Sequence, residues 1–463
     1  MLGRGTSFLV PWAMATLLLG GCNAVTDFGR FHPSDGGGVT DTGVRACTAP
    51  VVETCNGEDD DCDGTVDEDF DLMTDPDHCG ACDAACGLEC DAGECDFATH
   101  IEAGGGSCTI QASGGLLCWG PSGSGQIGNG FRMDRDSPTR VDIPPGRTVL
   151  DVSSGSTHTC AVLDDETVWC WGANSAFQLG NGSMLSSNLP VQVNEIGPSG
   201  DPVVEIEAGG THTCALTTSG AIYCWGDNSL GQLGDGSTTS SNIPVEVAGI
   251  ASFDSPAAEL SVGSKHACIR TTEMGRVWCW GNNGTQQLGL NDSATHFSTP
   301  QLVSLADGTR FAGVTSVSAG GSHTCATEAG GNVFCWGNNL HGQIGNETTD
   351  RQGSPEWAGG DDPPWFDQVE AGFMHTCAHT RTGEIYCWGS NDSGQVGNDD
   401  PSDALKPTLI GTDYAEVAAG TSHSCARTTA NVLFCWGLNS GGQVGDGTMT
   451  STRPVPVLVT SVQ

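Results

Sequence analysis

The stretch "CNGEDDDCDGTVDEDF", residues 55–70, sets Asp59, Asp61 and Asp63 at alternate positions, then Gly64, then Asp67 and Glu68. Carboxylates at the first, third and fifth places of a loop, with glycine sixth for the sharp turn, open an oxygen-ligand calcium site. Carboxylates this close repel one another, and a dication relieves that cost. Where a complete loop would close on Glu, this chain has Phe70, so Asp67, Glu68 or Asp69 must supply the last ligand. The expected cofactor is Ca2+. The competing reading is a solvated acidic loop held by a Cys55–Cys62 bridge.

The second kind of chemistry is sulfur. Eight cysteines fall between Cys47 and Cys95, in a segment with no Lys or Arg, many Asp and Glu, and too little apolar material for a core. Such a segment needs cross-links or metal to hold a shape. In "CGACDAACGLEC" the Cys-x-x-Cys spacing allows a thiolate zinc or iron–sulfur site, or a knot of disulfides. Fourteen more cysteines recur in seven pairs: Cys108/Cys118, Cys160/Cys170, Cys214/Cys224, Cys268/Cys279, Cys325/Cys335, Cys377/Cys387 and Cys425/Cys435.

The compartment bears on both sets. "MLGRGTSFLVPWAMATLLLGGC" carries one Arg, then an apolar run from Phe8 to Leu19, too short for a bilayer span and suited to export. Its ending "LLGGC" resembles the lipobox of bacterial lipoproteins. The resemblance implies cleavage before Cys22 and lipidation of its thiol. Outside the cytoplasm disulfides persist. Setting Cys22 aside leaves 22 of the 23 cysteines, an even number that reads as a disulfide framework.

Each pair sits in a strand-like frame. In "HTCALTTSGAIYCWG" small or apolar residues alternate with polar ones on both sides of Ser219-Gly220, the pattern of a hairpin. The two cysteines then oppose each other on neighbouring strands, within disulfide reach. Every second cysteine precedes Trp-Gly, at Trp119, Trp171, Trp225, Trp280, Trp336, Trp388 and Trp436, and a Gln-apolar-Gly step follows. The period is roughly 48 to 56 residues between second cysteines, a propeller or solenoid length.

"VVEIEAGGTHTCALTTSGAIYCWGDNSLGQLGDGSTTSSNIPVEV" resembles the repeat of the regulator of chromosome condensation, over about residues 98–460. The resemblance implies an all-β, seven-bladed propeller, with its last strand, near Val455 to Val459, latching into the first blade. The first copy, "EAGGGSC", lacks the histidine and is one residue short, so an irregular blade is expected there. Histidines at His158, His212, His266, His323, His375 and His423 read as buried residues bonding a neighbouring loop rather than as a metal ring. The stretch at 55–70 likewise resembles an acidic motif of exported bacterial proteins associated with metal binding.

The expected organisation is a lipoprotein signal at 1–21, a flexible tether at 22–46, a Cys/Asp-rich segment at 47–97 and the propeller at 98–463. With 56 Asp and Glu against 16 Lys and Arg, the chain carries a formal charge of −40 and should repel nucleic acid and anionic lipid heads. It contains no nucleophile elbow, His-Glu-x-x-His or phosphate loop. The expectation is a non-enzymatic, monomeric binding or scaffold lipoprotein of the Gram-negative cell envelope, held to the membrane only by its acyl group. Its partner would be a protein or surface ligand. The alternatives are an enzyme with a site at the propeller mouth, or a structural envelope protein. A pocket with several shifted titratable groups would favour the enzyme, and an aromatic rim the binder. In "RQGSPEWAGGDDPPWFDQ", residues 351–368, Trp357, Trp365 and Phe366 replace the usual Ser/Thr stretch and are the expected partner-binding residues, on a long loop.

Overall fold

The computed structural model describes residues 89–91, 94–197, 199–250, 253–359 and 364–460. The signal, the tether and the acidic motif with Asp59, Asp61, Asp63, Asp67 and Glu68 lie outside the described residues.

The repeat pattern builds seven four-stranded antiparallel sheets in chain order, spanning residues 98–140, 149–192, 203–246, 257–302, 314–358, 366–411 and 414–458. These are the blades of an all-β propeller. In blade 3 the inner strand Val203–Ala208 pairs with His212–Thr217, which pairs with Ile222–Gly226, which pairs with Ser241–Glu246.

The register sets Cys214 opposite Cys224, with Cα atoms 4.1 Å apart and the sulfurs bonded. The same bond closes the hairpin of every other blade: Cys108–Cys118, Cys160–Cys170, Cys268–Cys279, Cys325–Cys335, Cys377–Cys387 and Cys425–Cys435. The extra residue between Cys268 and Cys279 is taken up in the turn, and the register across the pair is kept. These cysteines are cross-links and not part of a surface site. Cys118, Cys170, Cys335 and Cys387 have no exposed surface, because each faces the seam between its own blade and a neighbour. Cys118 packs with Val152 and Trp171, Cys170 with Ile206 and Trp225, Cys335 with Val369 and Trp388, and Cys387 with Val417 and Trp436.

The core lies between blades. Cys214, Leu216, Ile222, Leu233 and Val247 of blade 3 pack against Leu260, Val262, Ile269 and Trp280 of blade 4. All seven tryptophans of the Trp-Gly steps are fully buried. The indole N–H of six of them donates to the main-chain carbonyl of the glutamine one blade back, as in Trp225 Nε1 to Gln178 O at 2.9 Å and Trp280 Nε1 to Gln232 O at 3.0 Å. The glycine two places later is forced by the same contact. Gly234 has φ +68°, and a Cβ there would stand 2.7 Å from Trp280 Nε1.

Two expectations are corrected. The last strand, Thr452–Leu458, does not latch into the first blade. It pairs within blade 7, with Leu458 opposite Phe434 and Val457 opposite Cys435. Each blade is therefore one continuous piece of chain, and the ring closes through the same inter-blade contacts as every other seam. Trp119 Nε1 donates to Gln443 O at 3.0 Å, Ser107 Oγ lies 2.8 Å from His423 Nε2, and Thr421 N donates to Gly104 O at 2.9 Å. Blade 1 is also regular despite its shortened turn, because Ser107 occupies the place of Thr213, opposite Trp119 as Thr213 is opposite Trp225.

Candidate functional site

The strand registers define two faces. One carries the Gly-Gly-x-His turns and the long loops after each Trp-Gly, and is called upper here. The other, lower, carries the hairpin turns and the blade-to-blade connections.

The expected aromatic rim lies on the lower face. Trp365 is 79% exposed beside Gly331 in the hairpin turn of blade 5, and Trp357 is 39% exposed. Phe366 does not belong with them. It is 3% exposed and packs edge-on against the Tyr386 ring at 5.5 Å, with Trp388 at 6.3 Å. The reason is positional: Phe366 opens the inner strand Phe366–Ala371, at the place that Val203 and Tyr414 fill in their blades. Nor is the segment one long loop. Trp357 lies on the outer strand Gln352–Ala358 of blade 5, paired with Phe334, and only residues 359–365 connect the blades.

The repeated histidines face neighbouring blades. Nε2 of His158 meets Thr213 Oγ1 at 2.8 Å, that of His323 meets Thr376 at 2.9 Å, and that of His375 meets Ser424 at 2.9 Å. Burial pushes these rings down to about 3–4, so they are neutral. His212 has no such partner, because blade 4 carries Ala267 where the others carry Thr or Ser.

Sequence reasoning missed the central channel. Its wall comes from the third and fifth residues of each inner strand, and it encloses about 330 Å³. Many of these side chains tie one blade to the next by accepting a backbone N–H. Asp151 accepts from Ile206 N at 2.8 Å, Glu205 from Leu260 N at 3.0 Å and Glu259 from Val317 N at 3.2 Å. Closer to the upper face, Glu102 accepts from Ser154 N at 3.3 Å and Ser153 Oγ from Ala208 N at 3.0 Å. Burial, reinforced by neighbouring carboxylates, pushes Glu205 and Glu370 up to about 8 and Glu207 well above the usual range. Burial also lifts Glu102 to about 7, against the opposing charge of His100. At the closing seam, His100 Nδ1 stands 2.5 Å from Glu416, which also accepts from Arg427 Nε at 3.0 Å. Burial opposes charge on His100, but the hydrogen bond and charge of Glu416 outweigh it and hold the ring at about 9. The signal for this wall was present as an acid or Ser two places after an acid in "VVEIEAG", "VLDVSSG" and "AAELSVG".

Seven continuous four-stranded blades around a lined channel define a β-propeller. The RCC1-like domain profile matches residues 115–463, and the chain belongs to that family. It is 30% identical over 303 residues to the ultraviolet-B receptor UVR8 of Arabidopsis thaliana, covering 64% of this chain and 66% of that protein. It is 29% identical over 273 residues to the human E3 ubiquitin-protein ligase HERC2, covering 58% of this chain but 6% of that protein. The chain thus spans just under two thirds of the one relative and a small part of the other. Among solved structures it is similar in fold to yeast RCC1 (Prp20) bound to Kap60, with a TM-score of 0.66 at 22% identity, covering 78% of this chain and 85% of that one. Human WBSCR16 has the same TM-score at 23% identity, covering 75% and 94%.

Proposed function

We propose that this protein is a lipid-anchored, extracytoplasmic binding protein that engages a protein or surface ligand through the lower rim of its propeller. The observation that carries this reading is Trp365, a large ring 79% exposed on a scaffold whose repeat tryptophans are fully buried. An exposed aromatic on a rigid edge is the usual anchor of an interface. Binding roles also run in the family: yeast RCC1 (Prp20) has been solved bound to Kap60. Changing Trp365 to Ala should weaken partner capture by about 1–2 kcal/mol or more while leaving thermal stability nearly intact. A large fall in melting temperature with unchanged capture would assign the ring to packing.

The enzyme reading gains support from the channel, which is a pocket with several shifted carboxyls. Burial accounts for those shifts, and Glu102 and Glu205 are also held in bonds that tie blade to blade, so the binding reading stands ahead of it.

The anchor rests on "LLGGC". Changing Cys22 to Ser should abolish lipidation and move the protein from the detergent phase to the aqueous phase. Unchanged partitioning would remove the anchor from the account. The acidic motif at 55–70 is proposed to bind Ca2+. Calorimetry on the full chain should show calcium binding that Asp61→Ala weakens, and no heat at millimolar calcium would leave a solvated acidic loop.

A further inference from the structure

The upper rim is divided, and its two halves differ in chemistry. On the loops after Trp-Gly, blade 1 exposes Phe131 and Met133, blade 2 exposes Met184 and Leu185, and blade 7 exposes Met449. These loops are neighbours. Gly130 N donates to Asn188 O at 2.9 Å, Arg132 Nη2 reaches Ser186 O at 3.5 Å, and Gly447 N donates to Asp136 O at 2.9 Å. The apolar groups therefore form one arc from blade 7 through blade 2. The exposed acid within these loops is Asp134, and Asp446 is tied to Arg453 at 2.5 Å.

The corresponding loops of blades 4 to 6 expose Asp292, Glu347, Asp350, Asp399 and Asp400. Of these acids Glu347 meets a cation, Lys406, at 3.0 Å. Among the described residues, Leu340 of blade 5 is the large apolar group well exposed on those loops, and Phe373 of blade 6 is partly exposed nearer the channel. Between the halves lies the channel mouth. There the Glu207 carboxyl has no hydrogen-bond partner among the described residues, unlike Glu102 and Ser153 of the same tier.

We infer that the upper face is a second interaction surface, built for a protein partner that sets an apolar strip beside a Lys- or Arg-rich edge. Solvent-exposed Phe, Leu and Met side chains concentrated on adjacent loops are the mark of an apolar contact. The acidic half selects the sign of what lies next to the apolar arc, by complementarity of potential. An anionic lipid surface fits poorly, since the same acids would be pressed against lipid charge within a Debye length. A second copy fits poorly for the same reason, at −40 per chain. This surface is separate from the lower rim and does not depend on Trp365.

The test uses the full chain and two synthetic amphipathic peptides, one of Leu and Lys and the other of Leu and Glu, read by fluorescence anisotropy at physiological salt. The Leu/Lys peptide should bind and the Leu/Glu peptide should not. Combining Leu185→Ser with Met184→Ser should weaken binding at least about tenfold. Both residues are exposed, so the melting temperature should hold. Separately, Asp399→Asn with Asp400→Asn should weaken binding and flatten its salt dependence. Trp365→Ala should leave it unchanged, which separates failure here from failure at the lower rim. The inference is overturned if the Leu185/Met184 variant binds the peptide as wild type does, or if the Leu/Glu peptide binds equally well. It is also overturned if those apolar substitutions abolish flotation with anionic vesicles or self-association in sedimentation, which would name lipid or a second copy as the occupant.

Discussion

Replacing Trp225 with alanine should destabilise the propeller by about 3–5 kcal/mol, the range for emptying a large aromatic site in a core. The ring is fully buried at the seam of blades 2 and 3, among Leu179, Val193, Val203 and Ile206. Its N–H also donates to Gln178 O. That carbonyl keeps a second donor, Thr213 Oγ1 at 2.9 Å, so the loss comes mainly from the cavity and not from an orphaned acceptor. Val204→Ala on the adjacent inner strand, 53% exposed, should cost under about 0.5 kcal/mol. Urea midpoints of the two variants check this. Equal small effects would mean that the seam does not depend on the indole.

Stability should plateau between about pH 4.5 and 6.5 and fall on either side. A carboxyl whose pKa rises on folding makes the folded state the better proton binder. Its contribution is full below the unfolded value near 4.5 and is lost as pH rises through the folded value, about 7 for Glu102 and about 8 for Glu205 and Glu370. Raised to about 9 by Glu416, His100 adds to the same alkaline loss, above its unfolded 6.5. The buried repeat histidines work in the opposite direction. Held neutral down to about 3–4, they let the unfolded chain take the proton first, so stability falls as pH drops below 6.5. In the middle range the two slopes oppose each other. The total loss from pH 6.5 to 9 should be on the order of a few kcal/mol, since water in the channel screens part of each effect. Glu207→Gln should flatten the alkaline limb and leave the acid limb alone. A midpoint that climbs steadily from pH 6.5 to 9 would contradict this assignment.

The fold was legible because each recurring residue has a local geometric task. The cysteines lie opposite each other across a hairpin, the Trp N–H needs an acceptor one blade back, and the Gln-apolar-Gly step brings that acceptor to it. The closure was not legible. Val455–Val459 reads as a strand in any blade, and which blade it joins depends on where the first repeat begins. Glu205 and Glu207 alternate with buried Ile206 and Ala208, as the wet face of any half-buried strand would, and nothing in that period tells solvent from a channel. Of the three rim aromatics, Phe366 was recoverable. Aligning "FDQVEAG" with "VVEIEAG" puts it at a core position, whereas Trp365 falls just before the strand and stays outside.

The central claim is that the lower rim at Trp365 meets a partner in the envelope. It is tested most directly by keeping Trp365 and placing a photo-crosslinking amino acid at Ala329 of the full chain, exposed in the hairpin turn of blade 5 beside that ring, with a second protein labelled at Thr238 on the upper face as the comparison, and irradiating both in the producing cell. The account predicts a discrete adduct from position 329 that the Thr238 probe does not form. No adduct from position 329, or the same adducts from both positions, would contradict it.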